Sequence, residues 1–164
     1  MSINKLKNMN KTFTLFLIFG VIILTSCRRN QPVEVYYVFE NSSWQRFDIP
    51  TFEVPVTEAE ESWDVCFFIR LTRSFPYNEM TINMIMNTPS GEERIGEYNL
   101  KIKSPGGAFL GKFDGDSSEN IILLKRELYC SKAGILRVAI ENLTPRLQTE
   151  GVIGAGIRLT PSGK

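Results

Sequence analysis

The chain of 164 residues contains no histidine, which removes the commonest general base at neutral pH and the commonest metal ligand. Catalytic triads and dyads that depend on histidine are therefore excluded within this chain. An excess of one charge is also absent, because 19 lysines and arginines are balanced by 18 aspartates and glutamates. A near-neutral chain has no electrostatic basis for binding nucleic acid. We therefore expect no nucleic-acid partner, no bound metal and no other cofactor.

The N-terminal apolar run is too short to span a membrane. It covers 12 residues, Phe13–Leu24, whereas a membrane-spanning helix needs roughly 20. Lysines precede it, and Leu24-Thr25-Ser26-Cys27 follows it, which matches the lipobox at the end of a bacterial lipoprotein signal peptide. An ordinary secretory signal and an uncleaved anchor are the alternatives. The position of Cys27 directly after the run favours a signal peptide at residues 1–26 with lipid on Cys27.

Loss of residues 1–26 removes three lysines and no acidic residue, so the net charge changes from +1 to −2. We predict a short polar tether at residues 27–32 and one domain at residues 33–164. Cysteine is scarce, and with Cys27 lipidated only Cys66 and Cys130 remain. In an oxidising envelope this pair can form a disulfide, or the two residues can be buried free thiols. The sequence leaves both alternatives open.

Apolar and polar residues alternate with period two over most of the domain, which indicates antiparallel strands with one buried face. The pattern is clearest in Trp63–Leu71, Met80–Met86 and Leu136–Ile140, and turn residues such as Thr88–Gly91 separate the runs. Thr57–Ser62 is the best candidate for a short helix. We predict an all-β fold, a two-sheet antiparallel β-sandwich of immunoglobulin-like or jelly-roll-like type, with about eight strands.

Two acidic segments could bind metal or do acid–base chemistry, but neither fits. Asp114-Gly115-Asp116-Ser117-Ser118 begins like a calcium loop, yet Glu119 and Lys125 occupy the positions that need glycine and glutamate. The glutamates at 58, 60 and 61 lie in the most polar stretch, where we expect solvated side chains and not the burial that acid–base chemistry would need. We interpret both segments as solvated connections and predict that the protein is not an enzyme.

Three residues are candidates for a ligand or partner surface. Arg70 lies on the polar side of an apolar strand, where it could pair with a carboxylate such as Asp64 or Glu79, or stack on an aromatic ring. Trp44 is surrounded by polar residues and is expected to be exposed, and Tyr77 follows a turn rich in aromatic residues. Exposed rings of this kind can stack on sugars or peptides.

The chain resembles the gliding-motility lipoproteins of the GldH type. The resembling pieces are the lipobox Cys27, the early Trp44, Ile69-Arg70 before Phe75-Pro76-Tyr77-Asn78, Thr88-Pro89-Ser90-Gly91, Gly111-Lys112-Phe113, the strand Ala133–Val138 and the closing strand Gly151–Leu159. The chain departs from the family pattern at Ile135, where a tyrosine is expected, and around Leu143–Arg146. It therefore resembles a divergent member.

The resemblance implies a non-enzymatic accessory lipoprotein of the gliding or secretion apparatus, with membrane lipid and envelope proteins as partners. It supplies no catalytic residues. The alternative is a carbohydrate-binding β-sandwich lipoprotein of a glycan-uptake system, which would use exposed rings such as Trp44. Because Arg28–Gln31 contains no acidic residue, we expect the periplasmic face of the outer membrane.

Overall fold

The structure, a computed structural model, describes residues 32–162. The predicted signal peptide, Cys27 and most of the tether lie outside this range. Within residues 32–162, we find no helix with the length and apolar character that crossing a bilayer requires. The described chain is built from antiparallel strands, as the alternating pattern predicted.

Eleven strands follow one another between residues 32 and 162, and eight of them are long. They are β1 (Val33–Val38), β2 (Ser43–Gln45), β3 (Thr51–Val56), β4 (Glu61–Thr72), β5 (Glu79–Asn87), β6 (Glu93–Lys101), β7 (Lys112–Asp114), β8 (Ser117–Cys130), β9 (Gly134–Asn142), β10 (Gln148–Glu150) and β11 (Val152–Pro161). The three short strands, β2, β7 and β10, have three residues each. A period of two cannot be recognised in so few residues. The sequence pattern therefore predicts about eight strands, which is the number of long ones.

The long strands form two sheets that pack face to face. One sheet has five strands in the order β1-β11-β4-β8-β7, and the other has four in the order β3-β9-β5-β6. The strands β2 and β10 pair as a separate ribbon. The Tyr98 hydroxyl on β6 donates to the Leu124 carbonyl oxygen on β8, 2.8 Å away, and this bond links the two sheets. The two-sheet sandwich is thus confirmed.

The core consists of the inward residues of both sheets, because strand side chains alternate between faces. From the four-stranded sheet it takes the row Met80, Ile82, Met84 and Met86, and from the five-stranded sheet Trp63, Val65, Phe67, Ile69 and Leu71. A shift of one residue in the register of β5 would turn its buried row to solvent, so the register is well determined. Each such residue contributes roughly 1.5–3 kcal/mol on burial.

Two local predictions have different outcomes. The expected short helix at Thr57–Ser62 is wrong, because β4 already begins at Glu61 and the segment before it is a turn. Glu60 reverses the chain there with a positive φ of 60°. The segment Ile121–Tyr129, in contrast, is strand throughout, as predicted. Long-range pairing with β4 therefore outweighs the helix preference of its leucines and lysine.

The carboxylate of Asp64 holds an irregular point in β8. It accepts hydrogen bonds of 2.9 Å from the Glu127 backbone N–H and from the Ser162 hydroxyl, and Glu127 has a positive φ of 49°. These bonds lower the pKa of Asp64 below its ordinary value. A carboxyl group with a depressed folded-state pKa stabilises the fold above its unfolded pKa of about 3.9, and this contribution is lost as pH falls through the folded value.

We therefore expect Asp64→Ala to weaken the acid dependence of stability. Between about pH 6 and pH 3, the melting temperature of the wild-type domain should fall further than that of the variant. Thermal unfolding followed by circular dichroism at several pH values measures the difference. Parallel profiles for the two proteins would show that Asp64 does not contribute in this way.

Candidate functional site

The outer face of the five-stranded sheet carries large side chains where a solvated sheet face would have small polar ones. Along β4, the residues that point away from the core include Cys66, Phe68 and Arg70. Phe68 is only 1% exposed although it lies on this outer side. The ring of Tyr36 on β1 covers it, with the ring centroids 5.7 Å apart and the planes 8° from parallel.

Glycines on β11 make room for these rings. Tyr36 and Phe68 lie across Gly154 and Gly156, where a Cβ atom would meet the Tyr36 hydroxyl or the Phe68 ring at distances that real Cβ atoms do not reach. The same Cβ atoms would also crowd backbone oxygens of β1. The two glycines are therefore required by close approach, and the rings are held flat on the sheet.

Two arginines lie over the two rings. The guanidinium carbon of Arg70 is 5.0 Å from the Tyr36 centroid, and that of Arg158 is 5.2 Å from the Phe68 centroid. Glu119 accepts hydrogen bonds from both arginines, at 3.0 Å from Arg70 Nε and 3.5 Å from Arg158 Nη2. The bond to Glu119 raises the pKa of Arg70 above its ordinary value. We call this set, with Glu34 on Arg158, the arginine–aromatic face.

Exposed apolar residues adjoin the arginine–aromatic face. Ile121 and Leu123 on β8 lie opposite Phe68 and Cys66, and Val38 at the end of β1 is 62% exposed. Aromatic residues and arginines are enriched among the residues that contribute most binding energy in protein interfaces. Here they lie next to exposed aliphatic side chains. The ion pairs fix the geometry of the face in advance, so little conformational entropy would be lost on binding.

The structure separates the three residues that the sequence suggested for a surface. Arg70 lies in the arginine–aromatic face, with Glu119 as its partner in place of Asp64 or Glu79. Tyr77 is half-buried in the connection between β4 and β5, edge-on against Phe75 at 5.5 Å. The expected exposure of Trp44 is wrong, since this side chain is fully buried.

Trp44 is buried because its polar neighbours form a turn that folds it inward. Its ring stacks on Phe39 with centroids 4.7 Å apart, and its Nε1–H donates to the Asp48 carbonyl oxygen at 2.8 Å. The indole N–H is thus satisfied inside the domain, as burial requires. Polar sequence neighbours indicate a turn, but they do not show which side of that turn faces the core.

Comparison with known proteins gives the family. The profile described as "GldH lipoprotein" matches residues 31–159, which is most of the chain. The chain belongs to the GldH lipoprotein family. The gliding motility lipoprotein GldH of Flavobacterium johnsoniae is 22% identical over 112 residues, which cover 68% of this chain and 70% of that protein. The family consists of membrane-anchored envelope lipoproteins associated with gliding motility, and it is not a known enzyme family.

Two solved structures have a remote similarity to this GldH-family chain. The Eiger TNF of S. frugiperda has a TM-score of 0.44 at 10% identity, over 84% of this chain and 95% of that one. The infectious bursal disease virus Gx strain has a TM-score of 0.33 at 12% identity, over 82% of this chain and 32% of that one.

The two cysteines of the GldH-family domain are free thiols in the structure, which is one of the two alternatives that the sequence left open. Cys66 lies on the outer face of β4 opposite Arg158, whereas Cys130 belongs to the core and pairs in register with Glu61. Five positions along β4 separate these points, roughly 17 Å. A disulfide requires Cα atoms closer than about 7 Å. Burial raises the pKa of both thiols above its ordinary value.

Sequence reasoning missed Tyr36, Phe68, Glu119 and Arg158 as members of one face. One signal was present in the sequence of β11, where Gly154, Gly156 and Arg158 occupy alternate positions on the same side. Glycines alternating with an arginine in a strand indicate a close approach by bulky groups from a neighbour. The sequence cannot show which neighbouring strand supplies those groups, because strands that pair in the sheet can be far apart in the chain. Glu34 on β1 and its partner Arg158 on β11, for example, are 124 positions apart.

Proposed function

We propose that this GldH-family protein is a lipid-anchored, non-enzymatic docking subunit of the gliding-motility apparatus. In this role the arginine–aromatic face binds a protein of the cell envelope. The observation that carries the proposal is the paired stacking of Arg70 on Tyr36 and Arg158 on Phe68, beside exposed aliphatic residues. Family membership supports the setting, and the face supports a binding role.

Anchoring in this proposal depends on Cys27. The chain from Arg28 to Pro32 has five residues and spans at most roughly 17 Å when extended. The domain would therefore remain close to the bilayer that holds the lipid. Since residues 28–31 contain no acidic residue, we place the protein on the periplasmic side of the outer membrane.

A carbohydrate-binding role receives less support. That alternative needed solvent-facing rings with Trp44 among them, and Trp44 is fully buried. On the arginine–aromatic face, Phe68 is covered by Tyr36, and guanidinium groups lie over both rings. The ring faces that a sugar would stack on are thus occupied by the protein itself.

The double substitution Ile121→Asp/Leu123→Asp is expected to abolish partner binding. Two carboxylates at the centre of an apolar contact would leave buried charges without partners, and we expect at least a tenfold loss of binding. The measurement is affinity purification of the full-length lipoprotein from solubilised membranes, with components of the gliding apparatus quantified by mass spectrometry.

The matched control is Ile95→Asp on β6 of the other sheet, where the isoleucine is also exposed. This variant should recover the same gliding components as the wild type. If the Ile121→Asp/Leu123→Asp protein recovers as much of the gliding components as the wild type does, the arginine–aromatic face is not the binding surface. Recovery of glycan-uptake proteins in place of gliding components would favour the carbohydrate alternative.

A further inference from the structure

Two exposed loops meet at the end of the sandwich opposite Pro32. The loop after β2 carries Arg46 and Phe47, and the loop before β10 carries Arg146 and Leu147. The Arg46 N–H donates to the Leu147 carbonyl oxygen at 2.8 Å, so the loops are adjacent. Phe47 is 81% and Leu147 73% exposed, the highest values for large apolar residues in the described part of the chain. We call these four residues the basic tip.

A polar cleft lies next to the basic tip. Its volume is about 330 Å³, and the residues that line it include Glu40, Asp48 and Glu150, together with Tyr37 and Gln148. The carboxylate of Asp48 accepts a hydrogen bond from the Tyr37 hydroxyl, and its charge, with a smaller contribution from Glu40, raises the pKa of Tyr37. The cleft is therefore electronegative. We call it the acidic cleft.

The charged groups of the tip and the cleft do not form ion pairs with each other within the part of the chain that the structure describes. Among residues 32–162, no salt bridge involves Arg46, Arg146, Glu40, Asp48 or Glu150. The guanidinium carbon of Arg146 lies 5.9 Å from the centroid of the Tyr77 ring. Over the same part of the chain, no group of three acidic or cysteine side chains is arranged to hold a metal ion. The cleft thus suits a guanidinium better than a metal ion.

We propose that a second copy of this chain docks here, with the basic tip of each copy in the acidic cleft of the other. Two complementary surfaces side by side on one protomer are what a two-fold interface requires, because each surface then meets its complement on the partner. The docking buries Phe47 and Leu147 and pairs four guanidinium groups with carboxylates across the dimer. This inference is independent of the arginine–aromatic face.

Other occupants fit the surface less well. A lipid bilayer with anionic headgroups would attract Arg46 and Arg146, but it would also meet the carboxylates of Glu40 and Glu150 beside them and be repelled by their charge. An unrelated protein would need both a basic and an acidic patch in the matching arrangement. A second copy supplies both patches with no further requirement.

The test exchanges charges between two tagged forms of the full-length lipoprotein expressed in the same cell. One form carries Arg46→Glu/Arg146→Glu, and the other carries Glu40→Lys/Glu150→Lys. In detergent-solubilised membranes, the self-association of each form alone should be at least tenfold weaker than that of wild-type copies, because like charges meet at both contacts. Mixed together, the two forms should associate within twofold of the wild-type level. All four residues are exposed, so neither pair of substitutions disturbs the core.

Cysteine cross-linking in intact membranes gives a second measurement. With a mild oxidant such as copper phenanthroline added to accept the two electrons, the thiols of Phe47→Cys on one tagged copy and Glu150→Cys on the other should form a disulfide. Phe47→Cys with Lys132→Cys, in the turn between β8 and β9 at the opposite end, should not form one. The proposal is overturned if wild-type copies do not associate, or if the mixed forms pair no better than each form alone. It is equally overturned if Arg46→Glu/Arg146→Glu weakens binding to vesicles with anionic headgroups but leaves self-association at the wild-type level.

Discussion

Gly156→Ala is expected to destabilise the domain by about 3 kcal/mol, which would lower its melting temperature by roughly 10 °C. The added methyl group would meet the Phe68 ring on one side and the Val35 carbonyl oxygen on the other. The ring could move only by separating from Tyr36, and the oxygen belongs to the backbone of β1. Because β1 is an edge strand whose neighbour in the sheet is β11, displacement of its backbone should loosen the whole arginine–aromatic face. Thermal unfolding of the purified protein measures the change.

Gly106→Ala is the matched control. Gly106 lies in the loop between β6 and β7, and its nearest contact for an added Cβ is the Ser104 hydroxyl at 3.8 Å, an ordinary distance. The melting temperature of this variant should stay close to that of the wild type. If both alanine variants melt together, the rings do not pack on β11 as described.

The fold could be predicted because its main signal is local. In β5 every second residue from Met80 to Met86 is apolar and buried, and the residues between them, which include Thr81 and Asn83, are only partly buried. Such a pattern can be recognised without knowing the neighbouring strands, since it follows from the burial of one face of the strand. The order of the strands is not local, and the pairing of β4 with both β8 and β11 has no counterpart in the sequence pattern.

The candidate site was predictable only in part, for the same reason. Arg70 attracted attention because a charged residue interrupts an apolar strand. Its partners Tyr36 and Glu119 come from β1 and β8, so the site arises only when the sheet assembles. Trp44 shows the opposite error, because its polar neighbours suggested exposure while its ring had Phe39 and the Asp48 carbonyl oxygen as partners.

Cys27→Ser is expected to abolish lipid attachment completely. In the proposed lipobox the thiol of Cys27 is the group that would be acylated, and a serine hydroxyl does not replace it in that reaction. The signal peptidase of lipoproteins acts on the acylated cysteine, so the variant should also keep residues 1–26. Metabolic labelling with palmitate should fall to background, and the labelled membrane-bound form should be replaced by an unlabelled precursor.

Cys66→Ser provides the control for this experiment, since Cys66 lies in β4 inside the folded domain. Its palmitate labelling and its processing should equal those of the wild type. Globomycin, which blocks the lipoprotein signal peptidase, should make the wild-type chain accumulate with all 164 residues. A Cys27→Ser protein that is still cleaved and still labelled would place the lipid elsewhere. A single acyl chain at another position would give only marginal membrane binding. The proposed docking role would then require a different attachment that keeps the arginine–aromatic face near its partner.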